Sequence, residues 1–240
     1  MRKLLSNSHV YAFTTVFLWS SAYVLTKVAL SHFSIAALGF LRCLTASATL
    51  VLLLAYKNRA PVRLGDLPWL AASGAAGFAV YLLVFNRGSS MLNPTTSCVI
   101  VSTAPIITAL IARLSFKEHL TASAWIASVA AFGGVVVLMS GGGGMMAGQG
   151  VLWMMLAALL ISIYNVIQRK LTVDRSPLEV TAYSFLMASV MLIWCLPAAF
   201  QEITDATVGQ IGIVIYLGIF LSALAYFAWT KAMCLAVNTG

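Results

Sequence analysis

The sequence predicts an all-α membrane protein in which about eight apolar helices cross a lipid bilayer. Hydrophobic residues make up 61% of the 240 residues and charged residues only 8%, whereas soluble domains carry roughly 25% charged residues. The apolar residues gather into eight runs, each long enough to span a bilayer. Because backbone groups cannot stay unpaired in hydrocarbon and the runs are too long for barrel strands, each run is predicted to be a helix.

Polar connections separate the runs along the chain. In order, the runs are Val10 to Leu30, Ile35 to Tyr56, Leu67 to Phe85, Met91 to Ile111, Ala122 to Ser140, Val151 to Ile167, Val180 to Phe200 and Val208 to Trp229. The basic start before the first run resembles a signal peptide, but no A-x-A-like cleavage site follows it. The first run is therefore predicted to remain as a helix.

The basic residues favour alternate loops. Eleven of the 14 lysines and arginines fall on the side of the N-terminus and only Arg87 falls on the other, while Lys27 and Arg42 lie within spans. The positive-inside rule predicts a multi-pass protein of the cytoplasmic membrane with its N-terminus in the cytoplasm. Since no basic stripe with interleaved aromatic residues remains, nucleic acid is not an expected partner.

An internal repeat relates the two halves of the chain. Matching pairs are Ser21 with Ser162, Tyr23 with Tyr164 and Leu30 with Leu171 at an offset of 141, and Gly74 with Gly218, Ala79 with Ala223, Phe85 with Trp229 and Arg87 with Lys231 at 144. A first unit of five helices is odd in number, so the second must enter the membrane inverted. Inverted repeats are characteristic of secondary transporters, whose substrate site lies near the midplane between the units.

The repeat divides the chain into three predicted parts. Residues 1–140 form the first unit with five helices, residues 141–150 a glycine-rich linker, and residues 151–240 a second, inverted unit with three helices. A second unit equal to the first would need about 45 more residues to supply two further helices. The chain is therefore expected to be truncated at its C-terminus.

Several stretches carry a resemblance to a known family. They are Trp19 to Lys27 in the first run, Phe40-Leu41-Arg42 in the second, Ala104 to Leu110 running on to Lys117-Glu118 after the fourth, and Leu160 to Gln168 in the sixth. Over essentially the whole chain they resemble the drug/metabolite transporter superfamily, EamA type, whose members have ten helices in two inverted halves. The resemblance implies movement of small metabolites, often amino acids or drug-like amphiphiles and often outward, across the cytoplasmic membrane.

One face of the first helix holds three candidate substrate-binding residues. Trp19, Tyr23 and Lys27 are four residues apart and so share a face, where two rings can stack an apolar group and the cation can steer a carboxylate. The alternative is that Lys27 extends to the outer interface and that the aromatic rings serve helix packing.

A second group of candidates lies deeper in the spans. Arg42 is seven residues past Ile35, about 10 Å along a helix, so it needs a partner there, either an anionic substrate or a structural hydrogen bond at a helix end. Tyr81, Tyr164 and Tyr183 complete the predicted cavity walls. Pro105 interrupts the fourth run and is either a gating hinge or a static kink.

Nothing in the sequence points to catalysis. H-E-x-x-H, G-x-S-x-G and P-loop motifs are absent, and the four cysteines have no metal-ligand spacing, so neither an enzyme nor a cofactor or metal is expected. The sequence predicts an exporter of small organic metabolites working by alternating access, with a small-molecule substrate and the lipid bilayer as partners. The alternative is a non-transporting remnant or a helix-packing subunit that requires a partner; substrate identity and oligomeric state stay open.

Overall fold

The computed structural model describes residues 2–57, 64–116 and 145–237, with residues 125–126, 129–130, 133–134 and 137. Among these residues the regular structure is helical and contains no strand, which confirms the predicted all-α class. The helices are α1 (Arg2–Ser20), α2 (Ala22–Ala29), α3 (Ile35–Tyr56), α4 (Leu67–Gly74), α5 (Val80–Met91), α6 (Pro94–Val101), α7 (Ala104–Phe116), α8 (Met145–Leu171), α9 (Pro177–Met191), α10 (Leu196–Thr204), α11 (Val208–Tyr216) and α12 (Ala225–Val237).

The described residues include five stretches long and apolar enough to cross a membrane. They are Ile35–Tyr56, Leu67–Met91, Pro94–Ser115, Gly148–Leu171 and Val208–Leu235. The pair Pro177–Met191 and Ile193–Thr204 adds a sixth if its 55° bend lies within one span. These segments coincide with six predicted runs, so the chain is a polytopic helical membrane protein. The predicted fifth run, Ala122 to Ser140, falls mostly outside the described residues.

Two predicted boundaries differ in the structure. The first run, Val10 to Leu30, is divided between α1 and α2 by a break at Ser21. There the hydroxyls of Ser20 and Ser21 donate to the carbonyls of Phe17 and Leu18 at 2.7 and 2.9 Å, and such local bonds compete with the helical ladder. The predicted linker, residues 141–150, also differs, because α8 begins at Met145. The last six residues of the linker are therefore helical.

Side-chain caps explain how such short connections start new helices. Ser34, Asn93, Ser176 and Thr207 each accept a hydrogen bond from a backbone N–H in the first turn of the helix that follows. Each cap satisfies one of the donors that a helix start leaves free. The polar loop residues thereby set the positions at which α3, α6, α9 and α11 begin.

The two halves of the chain pack crosswise through matched glycines. A Cβ at Gly74, the last residue of α4, would lie 2.5 Å from the carbonyl oxygen of Ser184 in α9. A Cβ at its repeat partner Gly218 would lie 2.7 Å from Cβ of Thr45 in α3. In each half, therefore, a glycine of the third span lets that span approach the second span of the other half.

Two further features follow the same repeat. π-Helical segments occupy Ala75–Ala79 and Leu217–Leu224, which overlap at the offset of 144. Ser47 in α3 and Ser189 in α9, 142 residues apart, share a buried hydrogen bond of 2.8 Å between their hydroxyls. This hydrogen bond joins the second spans of the two halves.

Contacts between the two halves of the chain lie near both ends of α3. On one face Arg175 forms an ion pair with Asp66, which ties the loop after α8 to the segment before α4. On the opposite face Glu202 Oε2 accepts a hydrogen bond from the Ser34 backbone N–H at 2.8 Å, and the Glu202 carbonyl lies 2.9 Å from His32 Nε2. Polar contacts therefore join the two halves of the chain at each of these two faces.

Candidate functional site

A cavity of about 330 Å³ lies between the two halves of the chain. Of the predicted site residues, Trp19, Tyr23, Arg42, Tyr81 and Pro105 line it. The other lining residues are Val16, Ser20, Ala22, Phe85, Cys98, Val101, Ser102, Ala104, Ile161, Asn165, Tyr226 and Trp229. The cavity volume is at the lower end of the range for small-molecule sites, and its walls are mostly apolar, as in such sites.

Arg42 is the charged group of the cavity. Its side chain is only 4% exposed, and its Nε and Nη2 atoms donate to Ser222 Oγ at 3.4 and 3.3 Å. The third nitrogen, Nη1, is buried and has no hydrogen-bond partner. A guanidinium held at this depth by one hydroxyl retains an unpaired nitrogen on a residue of the cavity wall, and such a donor is costly unless it is paired.

Trp19 and Tyr23 lie on either side of the break at Ser21 and form one aromatic wall. Trp19 Nε1 donates to the Leu221 carbonyl at 3.2 Å, and its ring centroid is 5.0 Å from that of Tyr226. The Tyr23 ring centroid is 5.7 Å from that of Phe85. These edge-on and tilted contacts fix the rings and leave their remaining faces to the cavity.

The fourth span is broken where Pro105 meets the cavity. Helix α6 ends at Val101 and α7 starts at Ala104. Because Pro105 has no N–H, the Val101 carbonyl loses its helical donor, and both residues line the cavity. On the other side, Ser162 Oγ donates to the Ala104 carbonyl at 2.8 Å, so a residue of the second half supports the break.

Lys27 lies at a helix end and not at the cavity. Its Nζ donates to three carbonyl oxygens around the end of α5, those of Ser89, Ser90 and Leu92, at 2.8 to 3.0 Å. A cation at a helix C-terminus satisfies carbonyls that lack helical donors and complements the helix dipole. The spacing of four residues placed Lys27 on the face of Tyr23, but the side chain extends away to this cap.

Two predicted tyrosines also lie outside the cavity. Tyr164 is fully buried, because Gly77 leaves room for its ring; a Cβ at Gly77 would overlap the ring, with Cγ and Cε2 at 2.7 Å and Cδ2 closer still. Its hydroxyl lies 3.5 Å from Thr230 Oγ1. Tyr183 is half-buried and packs against Leu70 and Val180. Both residues therefore contribute to helix packing in the structure.

Among the cavity residues that were not predicted from the sequence are Asn165, Tyr226 and Trp229. Ser222, which was not predicted either, holds Arg42 from the last span. Trp229 Nε1 donates to Asn165 Oδ1 at 3.0 Å. A signal for Trp229 was present, since the repeat pairs it with Phe85 and both residues line the cavity. Tyr226 and Ser222 carry no such signal, because tertiary packing alone brings the last span beside Arg42.

A second, smaller cavity adjoins the first. It has a volume of about 170 Å³ and is lined by Thr108, Asn165, Arg169 and Thr172, among other residues. Asn165 lines both cavities and donates through Nδ2 to Thr108 Oγ1 at 3.3 Å. The amide of Asn165, held by Thr108 and Trp229, therefore stands between them. Within the described part of the chain, no three His, Cys, Asp or Glu side chains come together as metal ligands.

Comparison with known proteins links the chain to membrane transporters. The sequence model of the EamA-like transporter family matches residues 7–140 and again residues 148–235. The chain is 28% identical over 220 residues to a "Probable terminal-alkyne amino-acid exporter" of Streptantibioticus cattleyicolor, covering 91% of this chain and 74% of that protein. It is 27% identical over 212 residues to "Uncharacterized transporter YdfC" of Bacillus subtilis, covering 88% and 69%.

A similar fold is found among solved structures. A protein known by its crystal structure superposes with a TM-score of 0.68 at 18% identity, over 95% of this chain and 79% of that one. At this identity the likeness concerns the fold alone.

Proposed function

Since the chain belongs to the EamA-like transporter family and is a membrane transporter rather than an enzyme, we propose that it exports small organic metabolites by alternating access. The substrate site in this proposal is the cavity of about 330 Å³. The observation that carries it is that both halves of the chain line this cavity, the first half with Trp19, Arg42 and Tyr81 and the second half with Tyr226 and Trp229. Repeat-related halves around a central site are the arrangement of rocking transporters.

We further propose that the two halves form an inverted repeat, with contacts between them at both membrane faces. Each half places its third span against the second span of the other, through Gly74 and Gly218. Contacts between the halves also close each face, with Arg175 on Asp66 at one and Glu202 on Ser34 at the other. In alternating access, the contacts at one face break while those at the other face remain, so the cavity is open to one side of the membrane at a time. Pro105, at the break beside the cavity, is the proposed hinge of the fourth span.

Outward transport is the proposed direction. Its support is the printed name of the Streptantibioticus cattleyicolor relative, "Probable terminal-alkyne amino-acid exporter". In the predicted orientation the N-terminus and the basic loops lie in the cytoplasm, so outward means away from those loops. The proposed location of the protein is the cytoplasmic membrane.

A cysteine in the cavity allows a direct test. Cys98 lines the cavity and is exposed, whereas Cys43 and Cys195 are buried. Purified protein is reconstituted into liposomes, and flux is followed for four radiolabelled probes that share a phenyl body: 3-phenylpropionate, phenylalanine, phenethylamine and 3-phenylpropanol. Alkylation by N-ethylmaleimide at Cys98 fills the cavity and is expected to stop flux of a transported probe.

The matched control is Cys98→Ser, whose flux, measured against its own untreated rate, should be insensitive to the reagent. A transported probe should also slow the alkylation of Cys98. If full alkylation of Cys98 leaves the flux of a transported probe unchanged, or if no probe moves through a correctly inserted chain, the proposed function is wrong.

A further inference from the structure

We infer that the cavity binds an organic monocarboxylate, with Arg42 Nη1 donating to the carboxylate and the aromatic walls enclosing an apolar body. The inference rests on the proposed function in taking the cavity as the substrate site. It goes further by stating the charge of the substrate. The groups that carry it are Arg42 and the aromatic residues around it.

Arg42 carries a charge that no described side chain of the cavity wall balances. Among the described residues, Arg42 is the one charged side chain that lines the cavity. The carboxylates of Asp66, Asp174, Glu179, Glu202 and Asp205 lie in loops or beside helix ends. A buried cation without a carboxylate partner favours an anion in the adjoining space. A carboxylate there would complete the guanidinium with a charge-assisted hydrogen bond, the strongest kind available to it.

One nitrogen of the Arg42 guanidinium, Nη1, has no hydrogen-bond partner within the described part of the chain. Ser222 Oγ accepts from both Nε and Nη2 of Arg42, so these two nitrogens are turned towards the last span. Nη1 is buried and unpaired, and the residue as a whole is only 4% exposed. Nη1 carries two N–H groups on a single nitrogen, which suits one small anionic group such as a carboxylate. The geometry therefore favours a single acid group over a phosphate or a dicarboxylate, which would need more donors.

Aromatic rings of the cavity wall can contact the rest of the ligand. Trp19 Nε1 is engaged by the Leu221 carbonyl and Trp229 Nε1 by Asn165 Oδ1, at 3.2 and 3.0 Å. The polar edges of both rings are thus satisfied within the protein, and their faces remain for the ligand. Together with Tyr81 and Phe85, whose ring centroids are 5.5 Å apart, they provide a surface for an apolar or aromatic body.

The same charges argue against an ammonium group on the ligand. No carboxylate side chain of the described residues lines the cavity. An ammonium would lose its water without gaining a partner of opposite charge, and it would add a second cation near Arg42. A plain acid is therefore expected to bind more tightly than the amino acid with the same body.

The test measures binding to the purified chain in lipid nanodiscs. The four phenyl probes are titrated while the fluorescence of tryptophan is recorded, because Trp19 and Trp229 line the cavity. The expected order is 3-phenylpropionate tightest, then phenylalanine, with 3-phenylpropanol and phenethylamine weaker than the acid by about 10- to 100-fold, as for the loss of a charged hydrogen bond. Equal binding of the alcohol and the acid, or tighter binding of phenylalanine or phenethylamine, would overturn the inference.

Variants locate the acid group on Arg42. Arg42→Gln should weaken 3-phenylpropionate by about 10- to 100-fold and leave 3-phenylpropanol unchanged, so that the preference for the acid disappears. Lys27→Met is the matched control, because it removes a cation of the neighbouring helix whose Nζ caps α5; it should retain the preference. If Arg42→Gln retains the preference, the inference is wrong. The probe series on the unchanged chain decides the same question if Arg42→Gln does not fold.

The outcomes separate this inference from the proposed function. If 3-phenylpropionate binds with the expected preference but no probe crosses the membrane, the anion site stands and the transport proposal fails. If phenethylamine or 3-phenylpropanol is transported and protects Cys98 while the acid does not bind, the transport proposal stands and the anion site fails.

Discussion

The close approach at Gly218 allows a sharp test of how the two halves pack. A Cβ at Gly218 would lie 2.7 Å from Cβ of Thr45, well inside an ordinary contact between carbon atoms of about 3.5 Å. A Cβ position does not change with rotamer, and the Thr45 hydroxyl is also bonded to the Leu41 carbonyl at 2.7 Å. Gly218→Ala can therefore be accommodated only if α3 and the last span move apart.

The size of the effect follows from two opposing terms. Overpacking of this kind costs about 1–3 kcal/mol, while replacing a helical glycine by alanine gains up to about 1 kcal/mol. Gly212 in the same span has nothing within 4 Å of an added Cβ, so Gly212→Ala shows the gain alone. We expect Gly218→Ala to lower the free energy of unfolding by about 1–2 kcal/mol, and Gly212→Ala to leave it unchanged or raise it.

The measurement is reversible unfolding of the purified protein in mixed detergent micelles, by titration with dodecyl sulfate, followed by circular dichroism. Thr45→Gly should make room for the new methyl group, so the double variant with Gly218→Ala is expected to show a favourable coupling energy. If Gly218→Ala and Gly212→Ala change stability equally, or if Thr45→Gly gives no coupling, the crosswise packing described above is wrong.

Three further predictions concern other contacts. Lys27→Met should lower the free energy of unfolding by about 1–3 kcal/mol, because three carbonyls lose a charged donor; a neutral result in the same titration would contradict the cap. Asp66→Asn removes the ion pair with Arg175, whose side chains are 31% and 17% exposed, so it should cost less than about 1 kcal/mol and less still in high salt; a larger, salt-independent loss would refute this. A double-mutant cycle of Ser47→Ala and Ser189→Ala should give a coupling of about 0.6 kcal/mol, and zero coupling would show that this hydrogen bond between the halves does not contribute.

The fold was predictable to a large extent because hydrocarbon imposes a simple rule. Apolar runs of bilayer length must be helices, and six of the predicted runs coincide with spans or a bent span of the structure. The first run was predicted as one helix, but its two serines bond their own backbone and break it at Ser21. Hydropathy contains no information on such local hydrogen bonds.

The candidate site was predictable only in part. Trp19, Tyr23, Arg42, Tyr81 and Pro105 line the cavity, and their residue types were the signal, since aromatic rings, a buried cation and a proline stand out in an apolar helix. Helical spacing placed Lys27 on the same face, but a long side chain can extend to a helix end several ångströms away, as Lys27 does.

Equivalence in the repeat was likewise an incomplete guide to the site. Tyr164 matches Tyr23 in sequence, yet Tyr23 lines the cavity and Tyr164 is enclosed by packing. The difference arises because Gly77 provides a space that encloses the ring of Tyr164. Two halves can share a fold while their side chains face different neighbours.

By itself the sequence determined the membrane environment and the helical class, because both depend on composition and on the length of apolar runs along one chain. Only the tertiary structure decided which side chains meet. Arg42 and Ser222 are 180 residues apart, and no local pattern records that their helices cross. That crossing leaves one guanidinium nitrogen unpaired beside an apolar cavity, because the last span supplies a single hydroxyl where a buried cation needs an anion.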